Sequence, residues 1–139
     1  MTPDLPEWLR TQLDTDEQIA RAATPGPWEQ SGIGEYGWGV SFGRAGAGVE
    51  AEDSDQGRAD ADHIATHDPA RVLREIDAKR HLLDEHQDVN DGSCGTCVDG
   101  QWGYPTHGGS SPQRFPCRTL RLLALSYADR PGYRDEWRP

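Results

Sequence analysis

The stretch Cys94-Gly95-Thr96-Cys97, with Cys117 further along the chain and His86 before it, has the ligand spacing of a Cys₃His zinc site. Two thiolates three positions apart in a glycine-containing turn can point at one ion, while backbone amides offset part of their charge. The sequence therefore predicts one structural zinc ion per chain, held by a zinc knuckle.

These cysteines could instead take part in redox chemistry, form a disulfide, or be buried without a chemical role. A thioredoxin-like Cys-x-x-Cys pair opens a helix after a strand, whereas Cys94 follows the polar run 89–93, which predicts a loop. Asp99-Gly100, shortly after Cys97, predicts a turn. The odd count of three cysteines and the lack of a secretory leader after Met1 argue against a disulfide framework. Structural zinc is the favoured interpretation.

The fourth ligand is predicted from the helix that precedes the knuckle. Asp68-Pro69 indicates a helix start, with Asp68 as the N-cap, and the helix is predicted to run to about Gln87. At about 100° per residue, His86 faces the same side as the apolar stripe and His81 faces away. The stripe consists of Val72, Leu73, Ile76 and Leu83. His86 is therefore the predicted ligand.

Three further histidines lie elsewhere in the sequence. His107 is the alternative ligand, since it lies between Cys97 and Cys117 and nothing in the sequence fixes its direction. His63 and His67 are predicted to be solvated or locally hydrogen-bonded on a helix surface.

Cys117 precedes the run 119–125, whose leucines predict the first turns of another helix. The partial positive charge of a helix N-terminus is expected to favour the Cys117 thiolate over the thiol. The predicted site thus joins the end of one helix, a knuckle and the start of the next helix.

The N-terminal part predicts a helix over residues 4–23, followed by the breaker cluster Thr24-Pro25-Gly26-Pro27. Three β-type segments follow at 28–30, 36–42 and 47–51, separated by glycine-rich turns, and they predict a small antiparallel meander. We expect the flanking helices to pack on one face of this meander. The residues at that contact are predicted to be Trp28, Trp38 and Val40.

These segments predict an α+β fold in a single domain over residues 1–139, a length that suits one compact domain. Within it, residues 1–57 would form the helix and meander, and residues 58–139 the helical, zinc-stapled part. An apolar content of 34% with sixteen glycines and ten prolines leaves a thin core, for which a metal staple compensates. With no long apolar stretch, the sequence predicts a cytoplasmic protein without membrane contact.

Charge is distributed unevenly along the chain, whose formal net charge is −10. Residues 114–139 carry +3 and residues 1–113 carry −13, and the acidic run 50–62 predicts a solvated segment. Arg114, Arg118 and Arg121 have the spacing of a short basic stripe beside the zinc site, which makes nucleic-acid contact an alternative function. A surface dominated by acids argues against the whole chain lying on nucleic acid.

Three stretches together resemble a family of small uncharacterised actinobacterial and actinophage proteins, a domain of unknown function. They are the run ending in Thr24-Pro25-Gly26-Pro27-Trp28, the segment 60–73 with its His67-Asp68-Pro69-Ala70-Arg71 motif, and 117–125 with the ending 133–139. The resemblance spans nearly the whole chain. It implies a cytosolic protein linked to phages or other mobile elements, and it supplies no activity.

Enzymatic activity is disfavoured, because four protein ligands fill the coordination sphere that a catalytic zinc must leave partly open. The deaminase signature does not fit either, since Gln87 and Asp88 follow His86 and Ser93 precedes Cys94. The sequence therefore predicts a small zinc-binding accessory protein that acts by binding another protein, for example as an inhibitor or regulator. Nucleic-acid binding is the first alternative and a zinc-dependent enzyme the second.

Overall fold

A computed structural model describes residues 3–98 and 111–139 of the chain. Four helices are present in these ranges: α1 (Leu5–Ala22), α2 (Asp55–Thr66), α3 (Pro69–Glu85) and α4 (Arg118–Leu125). The strands there are β1 (Glu29–Ile33), β2 (Gly37–Ser41), β3 (Gly48–Glu52), β4 (Asp88–Val89), β5 (Ser93–Val98) and β6 (Pro112–Arg114). They form two antiparallel sheets, β1-β2-β3 and β4-β5-β6. The predicted α+β class is confirmed.

The chain divides into two compact units, and helices α1 and α3 contribute residues to both. Unit 1 consists of residues 1–15 and 77–139, and unit 2 of residues 16–76. The predicted internal division at residue 57 differs from this one. A single domain over residues 1–139 stays a prediction.

In unit 2, the β1-β2-β3 sheet is covered on one face by α2. Trp38 and Val40 lie on that face, and Val40 is only 2% exposed. The Arg58 guanidinium of α2 lies 5.1 Å from the Trp38 ring centre, and Gln30 donates a hydrogen bond to Asp62 of α2 at 3.0 Å. The predicted meander and the covered Trp38 and Val40 are therefore confirmed.

Helix α1 has the predicted position, and most of its apolar residues are buried. Ile19 is an exception, because 65% of its surface is exposed. The acidic run 50–62 spans the end of β3 and most of α2, where its carboxylates are exposed as expected. Ser54 caps α2 by accepting a hydrogen bond from the Gly57 amide at 2.9 Å, so this run has regular structure despite its charge.

Asp68 begins α3 as predicted and also ties the preceding loop to it. One carboxylate oxygen accepts the Arg71 amide at 2.9 Å, which is N-cap geometry, and the other accepts the Trp28 amide at 3.1 Å. The Arg71 amide bond lowers the pKa of Asp68 most, and the Trp28 amide and the charges of Arg74 and Arg71 add to it. Together they outweigh burial, so the pKa lies below its ordinary value of 3.8.

Aromatic side chains from both ends of the chain meet in the core of unit 1. Trp8 contacts Tyr133 and Trp137, with ring centres 5.8 and 5.3 Å apart, and its indole nitrogen donates to the Pro131 carbonyl at 3.0 Å. Leucines of α1, α3 and α4 complete this core. The fully buried ones are Leu5, Leu9, Leu13, Leu83 and Leu120.

Replacing Asp68 with alanine should lower the free energy of unfolding by about 2 kcal/mol, since a helix cap and a second amide acceptor are lost together. The lowered pKa means that the charged carboxylate stabilises the fold above pH 3.8 and that this contribution fades as the pH falls through the folded value. Urea unfolding of the wild type and Asp68→Ala, at neutral pH and near pH 3, measures the difference in the free energy of unfolding. Asp53→Ala, at an exposed acid, is the control, and an equal effect of both substitutions would contradict the assignment.

Candidate metal centre

The knuckle is built on a β-hairpin and not in a loop as predicted. β4 and β5 pair antiparallel, with Asp88 opposite Cys94, so both Cys94 and Cys97 lie in strand β5. Asn90 and Asp91 form the turn with positive φ angles of 53° and 54°, which asparagine and aspartate tolerate better than most residues. The polar composition of residues 89–93 thus marks a hairpin turn.

Cys94 has the sulfur environment expected of the first ligand in a knuckle. Its Sγ accepts the backbone amides of Thr96 at 3.5 Å and Cys97 at 3.4 Å. The residue is buried, with 2% of its surface exposed. Amides directed at a sulfur stabilise its thiolate form, and a metal-bound cysteine must be in that form.

His86 follows the last residue of α3 and points inward, as predicted from its position around the helix. It is 7% exposed, and its Nδ1 lies 2.7 Å from the Leu82 carbonyl oxygen. A carbonyl only accepts, so Nδ1 carries the proton, and in the neutral ring this leaves Nε2 with a free lone pair. Metal-binding histidines are commonly oriented by such a backbone contact.

Cys117 is the N-cap residue of α4 and is completely buried, which confirms the predicted start of this helix. The segment before it is attached to the hairpin turn, because the Phe115 amide donates to the Gly92 carbonyl at 2.9 Å. Strand β6, which ends at Arg114, pairs with β5. The hairpin and the start of α4 are therefore held together by backbone hydrogen bonds.

The side chains of His86, Cys97 and Cys117 converge on one point. Their ligand atoms all lie within 4.8 Å of one another. A tetrahedral zinc ion with bonds of about 2.3 Å to sulfur places its ligand atoms roughly 3.8 Å apart. Small side-chain movements therefore suffice for these three residues to share a metal ion.

Cys94 is not among the three residues whose ligand atoms converge, but its sulfur contacts the thiols of Cys97 and Cys117. Burial opposes its ionisation, but the amides of Cys97 and Thr96 and hydrogen bonds from the Cys117 and Cys97 side chains together lower the pKa of Cys94. That all four predicted residues bind zinc stays a prediction.

Burial raises the pKa of the Cys117 thiol to about 12, and its Cys94 and Cys97 neighbours add to this rise. The backbone amide of Leu120, in the first turn of α4, lowers this pKa as expected of a helix N-terminus, but burial outweighs it in the protein without metal. Two thiolates cannot easily be adjacent in a buried site unless a cation compensates their charge. A divalent metal ion would supply that charge.

The remaining histidines have other environments. His81 is exposed as predicted and lies 3.6 Å from the carboxylate of Asp77. His63 and His67 are exposed on α2 and just after it, with ring centres 4.2 Å apart, and His67 Nδ1 lies 2.8 Å from the His63 carbonyl. His107 lies outside the described residues, so its candidacy as a ligand stays a prediction.

The three arginines of the predicted basic stripe line one groove. Arg118 and Arg121 lie on α4, but Arg114 lies at the end of strand β6, so the stripe does not follow a single helix. Contact of these residues with nucleic acid stays a prediction.

Fold and site together define a small α+β protein with a buried Cys/His cluster whose geometry suits a metal ion. Its family is shown by a family model described as "Family of unknown function (DUF6221)", which matches residues 2–139. The chain belongs to this family. No curated protein and no solved structure matches it. Within residues 3–98 and 111–139, every helix is too short or too polar to cross a membrane.

Substitution of any of the four predicted ligands should weaken zinc binding by at least about 100-fold, since loss of a residue that merely hydrogen-bonds to a metal ligand already costs about 10–100-fold. The variants are His86→Ala, Cys94→Ser, Cys97→Ser and Cys117→Ser. Elemental analysis after dialysis against a chelator of known affinity measures the zinc retained per chain.

His81→Ala is the matched control, because His81 lies on α3, is exposed and should not affect zinc content. If His107→Ala loses zinc while His86→Ala keeps it, the fourth ligand is His107. If Cys94→Ser keeps wild-type affinity while the other substitutions reduce it, the centre has three protein ligands and an open position.

Proposed function

We propose that His86, Cys94, Cys97 and Cys117 bind one structural zinc ion, and that the protein is a zinc-stabilised accessory protein. The observation that supports this most is the convergence of His86, Cys97 and Cys117 within 4.8 Å, with Cys94 hydrogen-bonded beside them. Thiolates together with imidazole in a tetrahedral arrangement favour zinc over magnesium or calcium, which prefer oxygen ligands. The cytoplasm, where thiols stay reduced, suits such a site.

The ion would join three segments of unit 1 that are far apart in sequence: the end of α3, strand β5 and the start of α4. Such closure restricts the unfolded chain, and binding free energy at a structural zinc site becomes folding free energy. Four protein ligands leave no position for a water molecule or substrate. The proposed role of the metal is therefore structural, and we propose that the protein is not an enzyme.

Removal of the metal by a strong chelator should loosen the segments that carry its ligands. We expect faster amide hydrogen exchange in β5 and in the first turns of α4, because both are anchored by the ligands. The α2 amides in unit 2 serve as the internal reference. If amide exchange became equally faster in β5, α4 and α2, or changed in none of them, the proposal that the metal stabilises unit 1 would be contradicted.

For its biological role we propose that the protein binds another protein through the turn between β1 and β2. Ile33 and Tyr36 are 59% and 76% exposed there, although both are apolar or aromatic. The Tyr36 amide donates to a carboxylate oxygen of Glu50 at 3.1 Å, which holds the turn in place. A rigidly placed, exposed tyrosine beside an aliphatic side chain is typical of an interface anchor.

Trp38, by contrast, is a poor anchor, because it is covered by α2 and the Arg58 guanidinium lies over its ring. Among the described residues, the turn side chains therefore replace the tryptophan as the proposed contact. An inhibitor or regulator linked to a phage or mobile element, as the resemblance implies, is the form of this role that we propose.

Simultaneous Ile33→Thr and Tyr36→Ala substitution should abolish capture of the partner without unfolding the protein, because both side chains are exposed. Cross-linking in a lysate followed by mass spectrometry would identify proteins captured by the wild type. Ile19→Thr, which also replaces an exposed isoleucine of unit 2, is the matched control and should retain capture. Partners that the double variant captures as efficiently as the wild type would contradict this site.

A further inference from the structure

A groove of about 550 Å³ lies on the surface of unit 1 and is lined by Arg114, Arg118 and Arg121. Pro116 and Trp137 form an apolar part of its wall. Neither the structural metal centre nor the proposed protein contact uses this groove. Its three positive charges stand out on a chain whose formal net charge is −10.

These arginines have no carboxylate partner within the described ranges 3–98 and 111–139. Glu136 also lines the groove, but its carboxylate lies 3.2 Å from the Arg134 guanidinium. Surface arginines in an acidic protein would usually be neutralised by neighbouring acids. Three that line one groove without such partners create a local positive potential that attracts anions.

Arg121 is held in a fixed position at the base of this arrangement. Its Nε donates to the Pro116 carbonyl and its Nη1 to the Arg138 carbonyl, both at 3.2 Å. Because a guanidinium has five N–H groups, several remain for a ligand after these two bonds form. Backbone anchoring reduces the side-chain entropy that Arg121 would lose on binding an anion.

The two walls of the groove are also fixed relative to each other. Gln113 lies in β6 and accepts the Arg118 backbone amide through its side-chain oxygen at 3.1 Å. This bond connects the strand that carries Arg114 with the first residue of α4. The backbone segments that carry the three arginines are therefore held together where strand β6 meets helix α4.

We propose that this groove binds the phosphate groups of a nucleotide-sized ligand. Arginines recognise phosphate through several charge-assisted hydrogen bonds, and a diphosphate carries enough charge to engage three of them. The groove volume falls within the range of about 300–1,000 Å³ that is usual for small-ligand sites. Pro116 is partly exposed and offers apolar surface against which a base or sugar can rest, whereas Trp137 is 4% exposed and contributes only an edge to the wall.

A long nucleic acid fits the charge distribution less well. Residues 1–113 carry a formal charge of −13, which repels an extended phosphate backbone, whereas a ligand confined to the groove avoids that repulsion. The proposal therefore concerns a small phosphorylated ligand. Polymer binding is one of the outcomes that the experiment separates.

The test is calorimetric titration of the zinc-loaded full chain with inorganic pyrophosphate and with a nucleoside diphosphate, using sodium sulfate as the reference anion. Arg118→Gln is the decisive variant, since its exposed side chain can lose its charge without removing a contact within the described residues. We expect it to weaken binding of both probes about tenfold, as for the loss of one charge-assisted hydrogen bond. Arg121→Gln should weaken binding at least as much.

Arg44→Gln, at an exposed arginine of unit 2, is the matched control and should leave binding unchanged. Zinc content and melting temperature of each variant show whether the fold and the metal centre remain intact, so failure of this proposal is distinguishable from failure of the zinc proposal. Binding of pyrophosphate no tighter than sulfate would overturn it. Equal affinity of wild type and Arg118→Gln would overturn it too, as would affinity that rises steeply with the length of a single-stranded oligonucleotide.

Discussion

The thiols of Cys97 and Cys117 and the imidazole of His86 come from three separate segments, yet their ligand atoms lie within 4.8 Å of one another, and this convergence organises the C-terminal part of the chain. His86 ends one helix, Cys94 and Cys97 lie in a strand, and Cys117 starts another helix. Burial raises the pKa of the Cys117 thiol to about 12, and its Cys94 and Cys97 neighbours add to the rise, so a thiolate at Cys117 is unfavourable without a compensating cation. Bare thiolates packed this closely would be costly, and a bound cation would offset that cost.

Much of this could be predicted from the sequence, because the informative signals are local. Asp68-Pro69 marked the start of α3, and counting 100° per residue from its apolar stripe placed His86 inside and His81 outside, as the structure has them. The spacing of the cysteines indicated a shared site, and glycine-rich turns delimited the meander. Each of these inferences depends on a few neighbouring residues whose geometry is fixed by the backbone.

The parts that could not be predicted depend on tertiary pairing. Strand β5 has the sequence Ser-Cys-Gly-Thr-Cys-Val, which lacks apolar alternation, so only its pairing with β4 and β6 makes it a strand. Ile19 shares the helical spacing of α1's buried residues but is exposed, since periodicity alone does not tell where the packing ends. The net ionisation of Cys117 could not be predicted either, because desolvation and neighbouring sulfurs, which a sequence does not reveal, outweigh the Leu120 amide at the helix N-terminus.

The segment Pro116-Cys117-Arg118 connects the interior of unit 1 with its charged surface. Cys117 points into the cluster, whereas Pro116 and Arg118 line the arginine groove. Since Cys117 is the N-cap of α4, anchoring its sulfur also sets where the first turns of this helix begin, and these turns carry Arg118 and Arg121. The Pro116 carbonyl that orients Arg121 belongs to the same anchored segment. A metal at the cluster would therefore fix the backbone that carries Arg118 and Arg121, although it would contact neither guanidinium group.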